Sequence, residues 1–261
     1  MTPGDVPPTG GPSQPPDLSQ SPVPDASVRP SIWELPEHGG RGPKARYSRG
    51  AIAAAAVALA DTEGLDAVTM RRMAAELGLG TMSLYNYVPT KDHLVQLMID
   101  EVGTEYHFPA QPPSDVRQAI VDLARQGRDI TQRHPWLPRA VSTRPPVMGP
   151  TALQYVDYFL GLLSGTAVDT AAKMELLALV NGFAINYGGM QAALAEERTR
   201  TGVTAEQQAA AQVGQLVVAA ATGRYPNLAA ALAAPAPPGR DEEEIFDSVI
   251  SRLIDGFLPA P

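Results

Sequence analysis

Thr81, Met82, Ser83, Tyr85 and Asn86 are short polar or aromatic residues that fall within six positions of one another. On the exposed face of a helix, with Leu84 turned inward, such side chains reach base edges, sugars and phosphates. The N–H groups that open this helix can meet a phosphate, as can Lys91 at the start of the next. Arg71, at the start of the preceding helix, can approach guanine from the side. No comparable set exists for catalysis. His38, His93, His107 and His134 stand far apart without metal-ligand spacing, and the chain has neither a Gly-rich phosphate loop nor a nucleophile elbow. The expectation is a protein that is not an enzyme and holds no metal and no cofactor.

These side chains need two short helices crossing steeply. Such a crossing requires a small residue at the contact, a turn residue tolerant of positive φ, and a few apolar side chains for a miniature core. Ala74, Gly78 and the set Met73, Leu77, Leu79, Leu84 and Tyr87 supply these. A helix–Gly–helix hairpin with no role at DNA has the same grammar; the polar face described above favours DNA. The spacing predicts helices over about 69–77 and 81–87. Before them, Ser48 caps a helix over 49–63 that ends at Gly64, and after them Thr90 caps a helix that starts at Lys91 and buries Leu94, Leu97, Met98 and Val102.

The stretch from Tyr47 to Val102 resembles the TetR family of one-component regulators. The residues that carry the resemblance are Thr69-Met70-Arg71-Arg72-Met73-Ala74, Leu77-Gly78, Ser83-Leu84-Tyr85-Asn86-Tyr87-Val88 and Lys91-Asp92-His93-Leu94. The resemblance implies base and phosphate contacts at Thr69, Arg71, Thr81, Met82, Ser83, Tyr85, Asn86, Tyr87 and Lys91. Pro89 and Thr90 depart from the Lys or Asn more usual at that corner of the family. Arg41, Lys44, Arg46 and Arg49 read either as an arm towards the adjacent groove or as ordinary solvated charge.

Charge is divided along the chain. The net charge of −8 splits into +3 for Arg41 to Lys91 and −11 for the remainder, a locally basic module on an acidic body. Eleven of the 26 prolines fall between Pro3 and Pro43 in a stretch without apolar periodicity, so residues 1–44 are expected to form a disordered tail. The opening has no basic start and no apolar run of a signal peptide, the chain has no cysteine, and Ala51–Ala60 is too short to span a bilayer. A cytoplasmic protein without a membrane partner is expected.

The expected organisation is all-α: the tail, a three-helix helix-turn-helix domain over 45–92, and a helical domain over 93–261 for ligand sensing and dimerisation. In the latter, helices are expected over about 114–133, 149–165, 170–197, 204–222, 226–233 and 241–258. The helix over 170–197 has an apolar stripe too wide to be covered on one side, and the last helix opens with Asp241 and Glu244 in capping-box spacing. Both look like the pair that forms a four-helix dimer bundle in the tetracycline-repressor branch, which points to a homodimer joined through Leu177, Val180, Ala184, Ile245, Val249, Leu253 and Phe257. An intramolecular core is the other reading of the same stripes.

A sensor also needs an apolar cavity with a few polar groups. Candidates that combine aromatic or thioether surface with hydrogen-bonding ends are His134, Trp136, Met148, Tyr155 and Tyr158. Further along stand Met174, Asn181, Asn186 and Tyr187, the two amides because each needs a partner on an otherwise apolar helix. All of these also read as ordinary core. The functional expectation is a ligand-responsive repressor that binds a palindromic operator in double-stranded DNA and is released by a small-molecule effector. The alternative is a helical dimer that acts through protein partners.

Overall fold

The computed structural model describes residues 30–36, 46–111, 113–143, 148–234 and 241–258. Among the described residues the chain forms eleven α-helices, one 3-10 turn and no strand, as expected for an all-α protein. None of these helices is long and apolar enough to cross a membrane.

The first four helices build the head. In α1 (Arg49–Glu63), Ser48 Oγ accepts from Ala51 N–H and Gly64, at φ 83°, ends the helix. Its buried side chains are mostly Ala and Val, so α4 (Lys91–Gly103) lies close along it. Between them run α2 (Met70–Glu76) and α3 (Thr81–Tyr85), joined through Gly78 at φ 60°. That φ lies in the left-handed region, where a Cβ costs energy. Met73, Ala74 and Leu84 are buried at the crossing. The second short helix stops at Tyr85, two residues before the expected end, and Asn86 and Tyr87 continue as a turn.

The body consists of α5 (Val116–Arg133), α6 (Leu137–Ser142), α7 (Pro150–Leu162), α8 (Thr170–Thr201), α9 (Ala205–Ala221), α10 (Pro226–Ala233) and α11 (Glu242–Asp255). Asp241 and Glu244 form the expected capping box at the start of α11. The sequence gives no expectation of α6, whose Pro138 falls in the first turn, where a missing N–H costs nothing.

One core joins the head to Ile130, Trp136, Leu137 and Ala140 of the body, and a second is formed by α5, α7, α8 and α11. The seam between α5 and α8 is lined with small residues. A Cβ at Gly188 would stand 2.6 Å from the Arg128 carbonyl oxygen, and one at Gly127 would stand 3.6 Å from the Ala184 Cβ.

Two expectations are corrected here. Val180 and Ala184 are fully covered within the protomer and Leu177 nearly so, because this face of α8 is taken by α5 and α7; none of the three is free to meet a second chain. Residues 30–36 lie inside the stretch expected to be disordered, yet Ile32–Glu34 forms a 3-10 turn with Ile32 fully buried against the head. The remaining expected tail residues, Arg41 and Lys44 among them, lie outside the described residues.

Candidate DNA-reading face and effector cavity

The helices on either side of α3 are capped by side chains, while α3 itself opens at Gly80 without one. Thr69 Oγ1 accepts from Arg72 N–H at 3.1 Å, and Thr90 Oγ1 accepts from His93 N–H at the same distance. Thr90, the residue that departs from the family pattern, therefore has a structural use in starting α4. With Leu84 and Val88 fully buried, Thr81, Met82, Ser83, Tyr85 and Asn86 point to solvent, and Met82 is 78% exposed. Arg71 is exposed beside them, and Lys91 is half-buried at the start of α4. Arg72 is turned away, paired with Glu63 at 2.9 Å and Glu76 at 3.6 Å.

Three of the expected contacts have a structural use instead of, or beside, a DNA one. The Thr69 hydroxyl is the α2 cap. The Tyr87 hydroxyl accepts from Arg46 N–H at 3.2 Å, which places the chain entering α1 against the end of the reading helix. Arg49 is the clearest correction to the expected arm. Its Nη1 donates to the carbonyls of Ile32 (2.9 Å) and Leu35 (3.0 Å), its Nη2 to that of Pro36 (2.8 Å), and its Nε to that of Tyr87 (3.1 Å). A guanidinium with these bonds holds backbone in place rather than reaching for a groove. Arg46 stays exposed, its guanidinium 5.6 Å from the Tyr47 ring centroid.

A polar cluster fastens head to body. Both ring nitrogens of His134 face carboxylates, Nδ1 at 2.8 Å from Asp61 Oδ1 and Nε2 at 2.7 Å from Glu105 Oε1. Trp136 Nε1 donates to the same Asp61 oxygen at 2.7 Å. Both His134 contacts are hydrogen bonds only when both ring nitrogens carry hydrogens. Burial pushes the Glu105 carboxyl up, but the hydrogen bonds from Arg133 and His134 outweigh it and hold the group below its usual range. His134 and Trp136, expected in a pocket, are thus committed to the junction.

The cavity, of about 240 Å³, lies between α4, α6, α7 and α8. Of the nine candidates for ligand contact, it brings together Met148, Tyr155 and Asn181. The rest are elsewhere. Tyr158 packs on Phe108, Met174 is 41% exposed, Asn186 Nδ2 donates back to Gly182 of its own helix, and the Tyr187 hydroxyl donates to the Glu242 carbonyl. The buried Tyr155 hydroxyl has no hydrogen-bond partner, and burial, with the neighbouring Tyr106, holds it well above the usual phenol range. An orphaned buried hydroxyl in a cavity wall is a group that a ligand can satisfy.

Sequence reasoning missed Gln96, Asp100, Tyr106, Thr151 and Trp33 in this wall. Asp100 Oδ1 accepts from Thr151 N–H at 3.0 Å and from its hydroxyl at 2.7 Å, joining α4 to α7 beside the cavity. For Asp100 and Thr151 no local signal exists, because each is unremarkable until the other is near. For Trp33 the signal was Ile32-Trp33 itself, an isolated large apolar pair in a proline-rich stretch.

Known proteins resemble this chain in sequence and fold. Residues 52–98 match the description "Bacterial regulatory proteins, tetR family", and residues 108–259 match "Tetracyclin repressor-like, C-terminal domain". The HTH-type transcriptional repressor DrrR1 of Streptomyces coeruleorubidus is 34% identical over 231 residues, which span 87% of this chain and 83% of that one. ActR from Streptomyces coelicolor, solved in complex with actinorhodin, is 29% identical with a TM-score of 0.65 and covers 81% of this chain and 97% of its own. The same protein in complex with (S)-DNPA gives 26% and a TM-score of 0.66, with the same coverage. With its N-terminal and C-terminal parts each matched by a model of the family, this protein belongs to the TetR family of bacterial transcriptional regulators.

Proposed function

We propose that the protein is a repressor that binds a palindromic operator as a homodimer and is released when an aromatic small molecule occupies the cavity. The observation that carries this reading is the double use of α4. Its first residue, Lys91, stands beside the reading face, and further along it Gln96, Ile99, Asp100 and Gly103 line the cavity. A molecule that moves this helix moves the head. The head comprises about residues 45–92, the body the remainder from 93, and α4 crosses the boundary.

Dimerisation is supported by what the protomer leaves uncovered. On α8, Leu179 is 47% and Met190 52% exposed, and on α11 Ile245 is exposed while Val249, Leu253 and Phe257 are half-covered. No residue of α9 or α10 is buried, although Val213, Leu216, Val217 and Val218 are apolar. Apolar surface of this extent marks an association face. The outward face of α8, not its buried Leu177, Val180 and Ala184, joins α11 in it. Two heads related by a two-fold axis read half-sites about 34–36 Å apart.

ActR is solved with actinorhodin. The cavity here offers aromatic walls and a few polar groups, which suits a planar aromatic molecule with hydrogen-bonding groups at its edge. The test is a mobility shift with DNA from upstream of the protein's own gene, without and with actinorhodin. Sequence-specific binding as a dimer that actinorhodin weakens supports the reading. Tighter binding in its presence contradicts release, and no sequence preference favours a dimer that acts through protein partners.

A further inference from the structure

Residues 30–36 touch both functional parts of the molecule. On one side they are fastened to the head: Ile32 is fully buried in its core, Ile32 N–H donates to Gln96 Oε1 at 3.2 Å, and the Pro30 carbonyl stands 3.1 Å from His93 Nε2. Arg49 completes the attachment, and this guanidinium holds three carbonyls of the segment and, through Nε, the carbonyl of Tyr87 at the end of the reading helix. On the other side Trp33 enters the cavity wall, its Cζ2 only 2.6 Å from where a Cβ on Gly149 would stand. A Cβ at 149 would meet Asp100 Oδ1 first and the indole next, so the bare glycine leaves room for both side chains.

We propose that Trp33 is part of the effector site and that residues 30–36 act as a strap by which the cavity is read at the reading helix. The inference rests on the proposed function for the location of the effector, and adds a second route beside α4. The indole is a flat apolar part of the wall that Tyr155 also lines, and the buried Tyr155 hydroxyl lacks a partner. The pair suits a planar aromatic ligand that stacks on the first and hydrogen-bonds the second. A ligand stacked there presses on the indole. It shifts Trp33, the shift pulls the carbonyls of Ile32, Leu35 and Pro36 away from Arg49, and the guanidinium's hold on Tyr87 changes with them. Differential contact in the two states is what a coupling between sites requires.

The chain has no cysteine, so a single thiol introduced at the cavity rim is the only one. Val141 lines the cavity and is 38% exposed. The full-length Val141→Cys variant is labelled with N-(1-pyrenyl)maleimide, a tethered planar aromatic, or with the small N-ethylmaleimide. The same pair is prepared with Trp33→Ala added, and a third variant, Val141→Cys with Trp33→Phe, keeps an aromatic ring at this place. Hydrogen exchange is followed at residues 30–36 and 85–88, and operator affinity is measured separately. The expected result is faster exchange in both segments with pyrene but not with the ethyl label, and operator affinity weakened about tenfold. With Trp33→Ala both effects shrink, and with Trp33→Phe they persist in part. Unchanged exchange at 30–36 with pyrene in place overturns the strap, as does an equal effect with and without Trp33. If the unlabelled protein fails to bind DNA, the proposed function falls, while exchange in the two segments still decides whether the strap reads the cavity.

Discussion

In the reading head, Ser48, Thr69 and Thr90 each accept from the backbone N–H three residues on, so these hydroxyls start helices, and every α3 side chain but Leu84 faces outward. In the body and at its junction with the head, polar groups turn inward. Asp100 holds Thr151, His134 stands between Asp61 and Glu105, and Tyr155 keeps a buried hydroxyl without a partner. The first arrangement needs only neighbours in sequence, and the second needs residues brought from several helices. A head built this way can keep its shape while it is moved as a unit, and a body built this way can rearrange when one of its partners is supplied or displaced.

That contrast can be broken at several points. The largest effect is expected from Gly188→Leu, whose side chain meets the Arg128 backbone rather than a flexible tip. Prising α5 from α8 should cost about 3 kcal/mol, read as a lower Tm, with the isolated head contacts unaffected. Asp61→Ala leaves the Trp136 N–H and His134 Nδ1 without their acceptor. A loss of about 2 kcal/mol in denaturant unfolding is expected, and a loss near zero would show that the junction is not held by this cluster. Tyr85→Ala removes an exposed ring from the reading face and should weaken operator affinity about tenfold, worth about 1.4 kcal/mol, at unchanged Tm. Thr69→Ala removes a cap only, so stability should fall by about 1 kcal/mol.

The smallest effect is one of pH. The folded Glu105 carboxyl lies below its ordinary value of 4.5, so its stabilising contribution is complete at neutral pH and is lost as pH falls through 4.5 towards the folded value. A Glu105→Gln variant should therefore lose less stability than the parent between neutral pH and the acid range. Equal losses would place the acid sensitivity elsewhere.

The same contrast explains what the sequence made legible. The caps, Gly78 and the alternation of Leu84 with exposed neighbours are local patterns, and they define the head before any contact is known. The body's pairings are not local. Periodicity showed that α8 is apolar on a wide arc but not which helix covers Val180 and Ala184; the small residues Gly127 and Gly188, which let α5 approach, were the available sign. Arg49 reads as a free cation because its acceptors are main-chain carbonyls, which no sequence pattern marks. Trp33 was hidden by the composition around it, and its segment is held by Gln96, 64 residues away from Ile32. The helix α6 carries Pro138, which is compatible with a helix only because it falls in the first turn.

If cavity occupancy sets the spacing of the two heads, that spacing can be measured directly. A spin label on Ser83→Cys, the only thiol in the chain, reports the distance between the reading helices of a dimer by pulsed electron resonance. With actinorhodin shown to bind by calorimetry, the distance distribution should move by several ångströms (about 3 Å or more) away from the roughly 34 Å of adjacent major grooves. A distribution unchanged by bound actinorhodin would mean that the cavity does not set the spacing of the heads.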